Sequence, residues 1–220
     1  MKYKSVFDII GPVMIGPSSS HTAGAARIGK MARELFGREP EWANLSFYGS
    51  FAKTYKGHGT DVAMIGGIMD FETDDERIIE AKKIARDRGI RIKIREEEAL
   101  TDHPNTARIK LGDKDGEMEL VGISIGGGKI EIIELNGFEL SLTGHHPAIL
   151  VVHEDRFGAV AAVSTVLARH KMNIGKMDVS RQDVGKMALM TIEVDQHIED
   201  ALLTELKALP EVTQVTKITD

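Results

Sequence analysis

The 220-residue chain contains no cysteine. By itself it can form no disulfide, offer no thiolate nucleophile and hold no cysteine-ligated metal or iron–sulfur cluster. Eighteen consecutive apolar residues occur nowhere, so a membrane span is not expected. The opening MKYKSVFDIIG lacks the long apolar core of a signal peptide, which predicts a soluble, cytoplasmic chain. Lys and Arg number 28 against 34 Asp and Glu, a net charge of −6. The deficit divides as −3 over 1–147 and −3 over 148–220, leaving no basic tail. A nucleic-acid partner is therefore not expected. Low-complexity segments and solenoid-period repeats are also missing.

What remains is ordinary globular composition, 42% hydrophobic and 28% charged, at a length that suits two modest domains. Gly144 and Pro147 bracket a polar stretch that ends where a fresh apolar run, Ala148–Val152, begins. We place the domains at 1–143 and 148–220, with 144–147 as a linker. The adjacent His145 and His146 point to opposite faces of an extended chain and make a poor chelate.

The first domain reads as mixed α/β. A turn over 16–20 leads into an apolar helical stripe over 21–36. Leu45, Phe47 and Gly49 alternate like a strand. Residues 75–88 read as a helix ended by Gly89, followed by a strand carrying Ile90, Ile92 and Ile94. Two strands, 107–111 and 117–125, are joined by 112–116, and Asn136-Gly137 signals a hairpin between 129–135 and 138–143. The second domain has a β-α-β-β-α-β rhythm: a strand at 148–153, a helix at 157–170, strands at 174–182 and 186–195, a helix at 198–208, and a strand at 212–218. This is the ferredoxin-like arrangement, so the fold class is α+β.

Four motifs could carry chemistry. Gly16-Pro17-Ser18-Ser19-Ser20-His21-Thr22 brings three hydroxyls to a helix start, where orphan amides and the helix dipole attract an anion such as a carboxylate. The same serines also serve as ordinary helix caps. The second is Tyr48-Gly49-Ser50 followed by Lys56-Gly57-His58-Gly59-Thr60-Asp61, where flanking glycines leave His58 unshielded, with Thr60 or Asp61 as candidates to orient it. A neutral imidazole there could take a proton. Asp102-His103-Pro104-Asn105-Thr106 is the third. Ser124-Ile125-Gly126-Gly127-Gly128 is the fourth, a sharp turn with several exposed amides. Neither a dinucleotide nor a phosphate-loop pattern is present, and no histidine pair has the HxxxH or HExxH spacing of a metal hydrolase.

Taken together and in this order, GPSSSHT, YGS with KGHGTD, and SIGGG closely resemble the β part of bacterial iron–sulfur-dependent L-serine dehydratase (L-serine ammonia-lyase). Residues 148–220 resemble an ACT domain, a small amino-acid-binding regulatory module: His153-Glu154-Asp155-Arg156-Phe157-Gly158 stands at its first strand-to-helix turn and Asn173-Ile174 at its second strand. A β part that ends in an ACT domain is similar to the separate β chain of the two-subunit enzyme. The resemblance implies conversion of L-serine to pyruvate and ammonia with a [4Fe–4S] cluster held by the cysteines of an α subunit. It implies His58 as the base that removes the α-proton, and Ser18, Ser19, Ser20 and His21 around the substrate carboxylate. Gly126 and Gly127 would shape the same pocket. His153, Asp155, Gly158 and Asn173 would form the regulatory site, and ACT pairing implies a homodimer through 148–220. Two departures stand out. Phe51-Ala52-Lys53 replaces a Ser-Leu-Ala-like stretch, and Asp155 replaces a common Asn, which favours an amino group or cation over a carboxylate. The competing expectation is a non-catalytic regulatory subunit that senses an amino acid through its ACT domain.

Overall fold

The computed structural model describes residues 12–219. Internal contacts divide the chain into two units, the first ending at Asn136 and the second beginning at Gly137.

In the first unit a π-type turn, Ser19–Ala23, runs directly into α1 (Gly24–Phe36). Gly37, at φ 78°, ends that helix in the left-handed conformation that glycine adopts without strain. Strand β1 (Trp42–Phe47) follows, then α2 (Gly49–His58), α3 (Thr60–Ile68), a 3-10 turn (Glu76–Glu80), α4 (Ala81–Asp87) and β2 (Arg91–Glu96). The chain continues with β3 (Thr106–Asp113), β4 (Gly116–Gly126) and β5 (Lys129–Leu135). The strand order is β2-β1-β3-β4-β5, with β1 and β2 parallel and the other neighbours antiparallel. Strand β1 alternates strictly, with Ala43, Leu45 and Phe47 buried under the helices and Trp42, Asn44 and Ser46 only half-covered. α1 and α3 cross so closely that a Cβ on Gly29 or Gly67 would run into the carbonyl of Met64 or Ala26.

The second unit starts with β6 (Phe138–Leu142), followed by β7 (Ala148–Glu154), α5 (Ala159–Arg169), β8 (Ile174–Arg181), β9 (Met187–Val194), α6 (Asp200–Lys207) and β10 (Val212–Ile218). Its sheet has the antiparallel order β10-β7-β9-β8, the ferredoxin-like pattern. Ile149, Val151, Val163, Leu167, Met190 and Leu202 form its core.

Two local expectations change, and one segment left unassigned from sequence proves helical. Gly49 does not close a strand: at φ 53° it opens α2, and a side chain there would meet the carbonyl of Pro104. The 75–88 helix is a 3-10 turn followed by an α-helix. The segment around KGHGTD is two consecutive helices, hinged at Gly59 with φ 67°.

Candidate active site

Ser18 has extended backbone and caps the π-type turn, its Oγ accepting from the His21 amide at 3.1 Å. Its carbonyl accepts from Thr22 N at 2.8 Å. Ser18 is thus spent on the cap, while the hydroxyls and first-turn amides of Ser19 and Ser20 have no partner among the described residues. Gly126 lies over Ser20, whose Oγ is 3.9 Å from the position a Cβ would occupy. Gly126, Gly127 and Gly128 all have positive φ, at 98°, 61° and 77°, so this turn accepts no ordinary side chain without strain. The Gly128 carbonyl accepts from Arg27 Nη1 at 2.8 Å, fixing the turn to α1. Gly127 has no neighbour at the Cβ position.

His21 is held at both ring nitrogens, with Nδ1 3.4 Å from Ser18 Oγ and Nε2 2.9 Å from Ser50 Oγ. Its ring meets the edge of His58 at 4.8 Å between centroids and 70° between planes, and Phe51 packs on it at 5.3 Å. Burial, and then the neighbouring His58, push the His21 imidazole below its ordinary range, so it favours the neutral form.

His58 is the last residue of α2, and its carbonyl accepts from Thr22 Oγ1 at 3.0 Å. The flanking glycines do not leave it bare. The residue is half-buried, and its Nδ1 is covered without a hydrogen-bond partner. Neither proposed orienting group acts on the ring. Asp61 is bound to Lys82 and to the Val62 amide, and Thr60 Oγ1 is buried without a partner. His21 and the helix end position His58 instead.

The third motif adds to this neighbourhood. Ser50 N donates to the Pro104 carbonyl at 2.7 Å, and Ser124 N donates to the Asn105 carbonyl at 3.0 Å. Asn105 Oδ1 and Ser124 Oγ are both buried and unpartnered, and Ser124 Oγ lies against Gly24. Ser50, Asn105 and Ser124 are therefore site candidates that sequence reading left unassigned. Their signal was present: each falls inside one of the four motifs. Among the described residues no group of three His, Asp or Glu could hold a metal ion. With no cysteine in the chain, this donor set does not fit an iron–sulfur cluster.

In the second unit Asp155 accepts from Gly185 N at 2.9 Å and from Arg181 Nη1 at 3.2 Å. These two donors hold its carboxyl below the usual carboxylate range. It lines a cavity of about 580 Å³ with Arg156, Phe157, Arg181, Val184 and Gly185, and Phe157 is fully exposed. Gly158, at φ 89°, caps α5 beside it. His153 is buried, with Nδ1 2.8 Å from the Glu154 carbonyl and Nε2 unpartnered. Asn173 does not join this group. It precedes Ile174 and bonds to Gln196 and Asp195, whereas Arg181 stands at the other end of β8. Eight extended residues separate those ends, on the order of 25 Å.

Together, a mixed α/β unit with paired imidazoles beside a hydroxyl-rich helix start, and a ferredoxin-like β-α-β-β-α-β unit after it, fit the class that the motifs resemble: a serine-dehydratase-type β domain followed by an ACT domain. Comparison with known proteins agrees. The family model "Serine dehydratase beta chain" matches residues 5–87, and "ACT domain" matches 148–211. The chain is 68% identical to the "Probable L-serine dehydratase, beta chain" of Bacillus subtilis (strain 168), covering 100% of both. It is 34% identical to the "L-serine dehydratase, beta chain" of Peptoniphilus asaccharolyticus, covering 95% of each. A third relative, D-3-phosphoglycerate dehydrogenase of Bacillus subtilis, is 24% identical over 88% of this chain and 37% of its own length. The chain belongs to the L-serine dehydratase beta-chain family.

Proposed function

We propose that this chain is the β subunit of an iron–sulfur-dependent L-serine dehydratase. It would work in the cytoplasm, opposite an α subunit whose cysteines hold the [4Fe–4S] cluster. Bound there, the cluster would supply a Lewis acid for the substrate hydroxyl. The present chain would supply binding and the proton acceptor. Ser19, Ser20 and their amides bind the carboxylate of L-serine at the positive end of the helix. His58 accepts the α-proton, and loss of the hydroxyl as water leaves aminoacrylate. That product tautomerises to the imine and is hydrolysed to pyruvate and ammonia.

The observation that carries this reading is the imidazole pair. His21 is pinned at both nitrogens and biased to the neutral form, so it adds no positive charge against the proton that His58 receives. The ACT unit would bind a regulatory amino acid around Asp155 and Gly158 and pair two copies of the chain. An ionised Asp155 suits the ammonium group of such a ligand better than its carboxylate.

The test is reconstitution without oxygen. The chain alone should release no pyruvate from L-serine, and the pair with its cysteine-bearing partner should. His58→Asn in that pair should lower kcat on the order of a hundredfold or more. An inactive wild-type pair would remove the assignment. Near-normal turnover of the variant would remove His58 as the base.

A further inference from the structure

The even division of charge between the two halves conceals a local excess. Residues 81–95 hold seven basic side chains against one acid, Asp87, a net +6 within a chain of net −6. These residues form α4, Gly89 and β2, and they line a cavity of about 740 Å³ that uses Lys82, Arg86, Arg91 and Lys93. Its floor is apolar, made of Ile65, Ile90, Ile92 and Ile94. Lys82 is neutralised by Asp61. Among the described residues Arg86, Arg91 and Lys93 have no acidic partner.

The cavity follows an edge strand. Among the described residues β2 pairs only with β1, in the register Trp42↔Arg91, Asn44↔Lys93 and Ser46↔Arg95, so Arg91, Lys93 and Arg95 lie on the open face of the sheet. Further across that face the basic column is matched: Arg108 of β3 pairs with Glu119 and Glu134, and Lys110 with Glu117. The basic column on β2 has neutral Trp42, Asn44 and Ser46 on one side and, among the described residues, no strand on the other. Charged side chains on an exposed edge ordinarily guard it against pairing. Here the guard has a single sign, so it repels basic strands and favours an acidic one.

We infer that β2 is a docking edge for an extended acidic segment of another polypeptide, in which acidic and apolar residues alternate. Its backbone would pair with the free edge of β2, its acids would face Arg91, Lys93 and Arg95, and its apolar residues would cover Ile92 and Ile94. A second copy pairing through its own β2 does not supply the acids: Glu96, the last residue of β2, is engaged by Tyr55 and Lys56, and Glu97 after it by Ser46. The inference concerns this chain alone and does not depend on its catalytic role.

The probe is a capped Glu-Val-Glu-Ile-Glu-Val peptide titrated calorimetrically into the full chain and into Arg91→Glu/Lys93→Glu. Both positions are exposed, and neither is among the candidate active-site residues. We expect binding to the wild type that weakens with salt, a loss of about tenfold or more in the variant, and slowed amide exchange over 91–95. A Lys-Val-Lys-Ile-Lys-Val peptide should bind neither protein. No binding, equal binding by both proteins, or protection elsewhere overturns the inference. Inorganic triphosphate displacing the peptide with equal affinity would replace it with a small-anion site. A dimer in light scattering that the variant abolishes would replace it with self-association.

Discussion

His21 shows what one side chain in this site is asked to do. It gives up both nitrogens to Ser18 and Ser50 and lends its ring to His58 and Phe51. The GPSSSHT pattern made the serines and His21 legible, because a helix start needs only local sequence. Ser50, 29 residues away, was not legible as a partner, since only the fold brings it within 2.9 Å. The same holds for Asn105 and Ser124, which tertiary packing places with their polar atoms covered. Lowering of the His21 pKa has a consequence for stability. The unfolded chain binds a proton near the ordinary value of 6.5, whereas the folded chain resists it. As pH falls through that window the unfolded state takes up more protons, so the stability present above it is lost. Melting temperatures between pH 7.5 and 5.5 should therefore fall less steeply in His21→Gln than in the wild type. Equal slopes would remove this account of the histidine.

At the scale of elements, most strands and the helices of the second unit follow from simple periodicity. Ile90, Ile92 and Ile94 alternate, and Asn136 and Gly137 take the positive φ of 49° and 80° that a two-residue hairpin turn demands. Helices α2 and α3 are assigned no element from sequence, because five glycines between 49 and 67 weaken the helical pattern. The helical signal was present in Phe51, Tyr55 and His58, spaced four and three apart. The glycines of α3 serve packing rather than flexibility. Gly29 and Gly67 let α1 and α3 approach to backbone contact, and Gly57 on α2 has open space around its Cβ position. Gly67→Ala should therefore cost about 1–3 kcal/mol or more in urea unfolding, by forcing two helices apart. Gly57→Ala should be neutral or stabilising by several tenths of a kcal/mol, through lower entropy of the unfolded chain. If both substitutions behaved alike, close approach would not be the reason for Gly67.

For the molecule as a whole, the net charge of −6 was a poor guide, because an average over each half concealed the basic run at 81–95. The two-part organisation was clearer, since the β-α-β-β-α-β rhythm of the second unit repeats in its strand order. Each unit buries a core of its own, Ile28, Phe47, Met64 and Leu120 in the first and Ile149, Val163, Leu167 and Met190 in the second. Two cores predict two calorimetric transitions. Val163→Ala, which removes buried methyl groups from the second core alone, should lower one transition and leave the other in place. That assigns the transitions to units. A regulatory amino acid that binds around Asp155 and Gly158 must then raise the transition sensitive to Val163, because a ligand stabilises only the state it binds. At a hundred times its dissociation constant the gain is about 2.7 kcal/mol. Screening amino acids by this shift would reveal such a ligand without requiring turnover. If the responding transition were the one that Val163→Ala leaves unmoved, the ligand would belong to the first unit, and the ACT unit would not be its sensor.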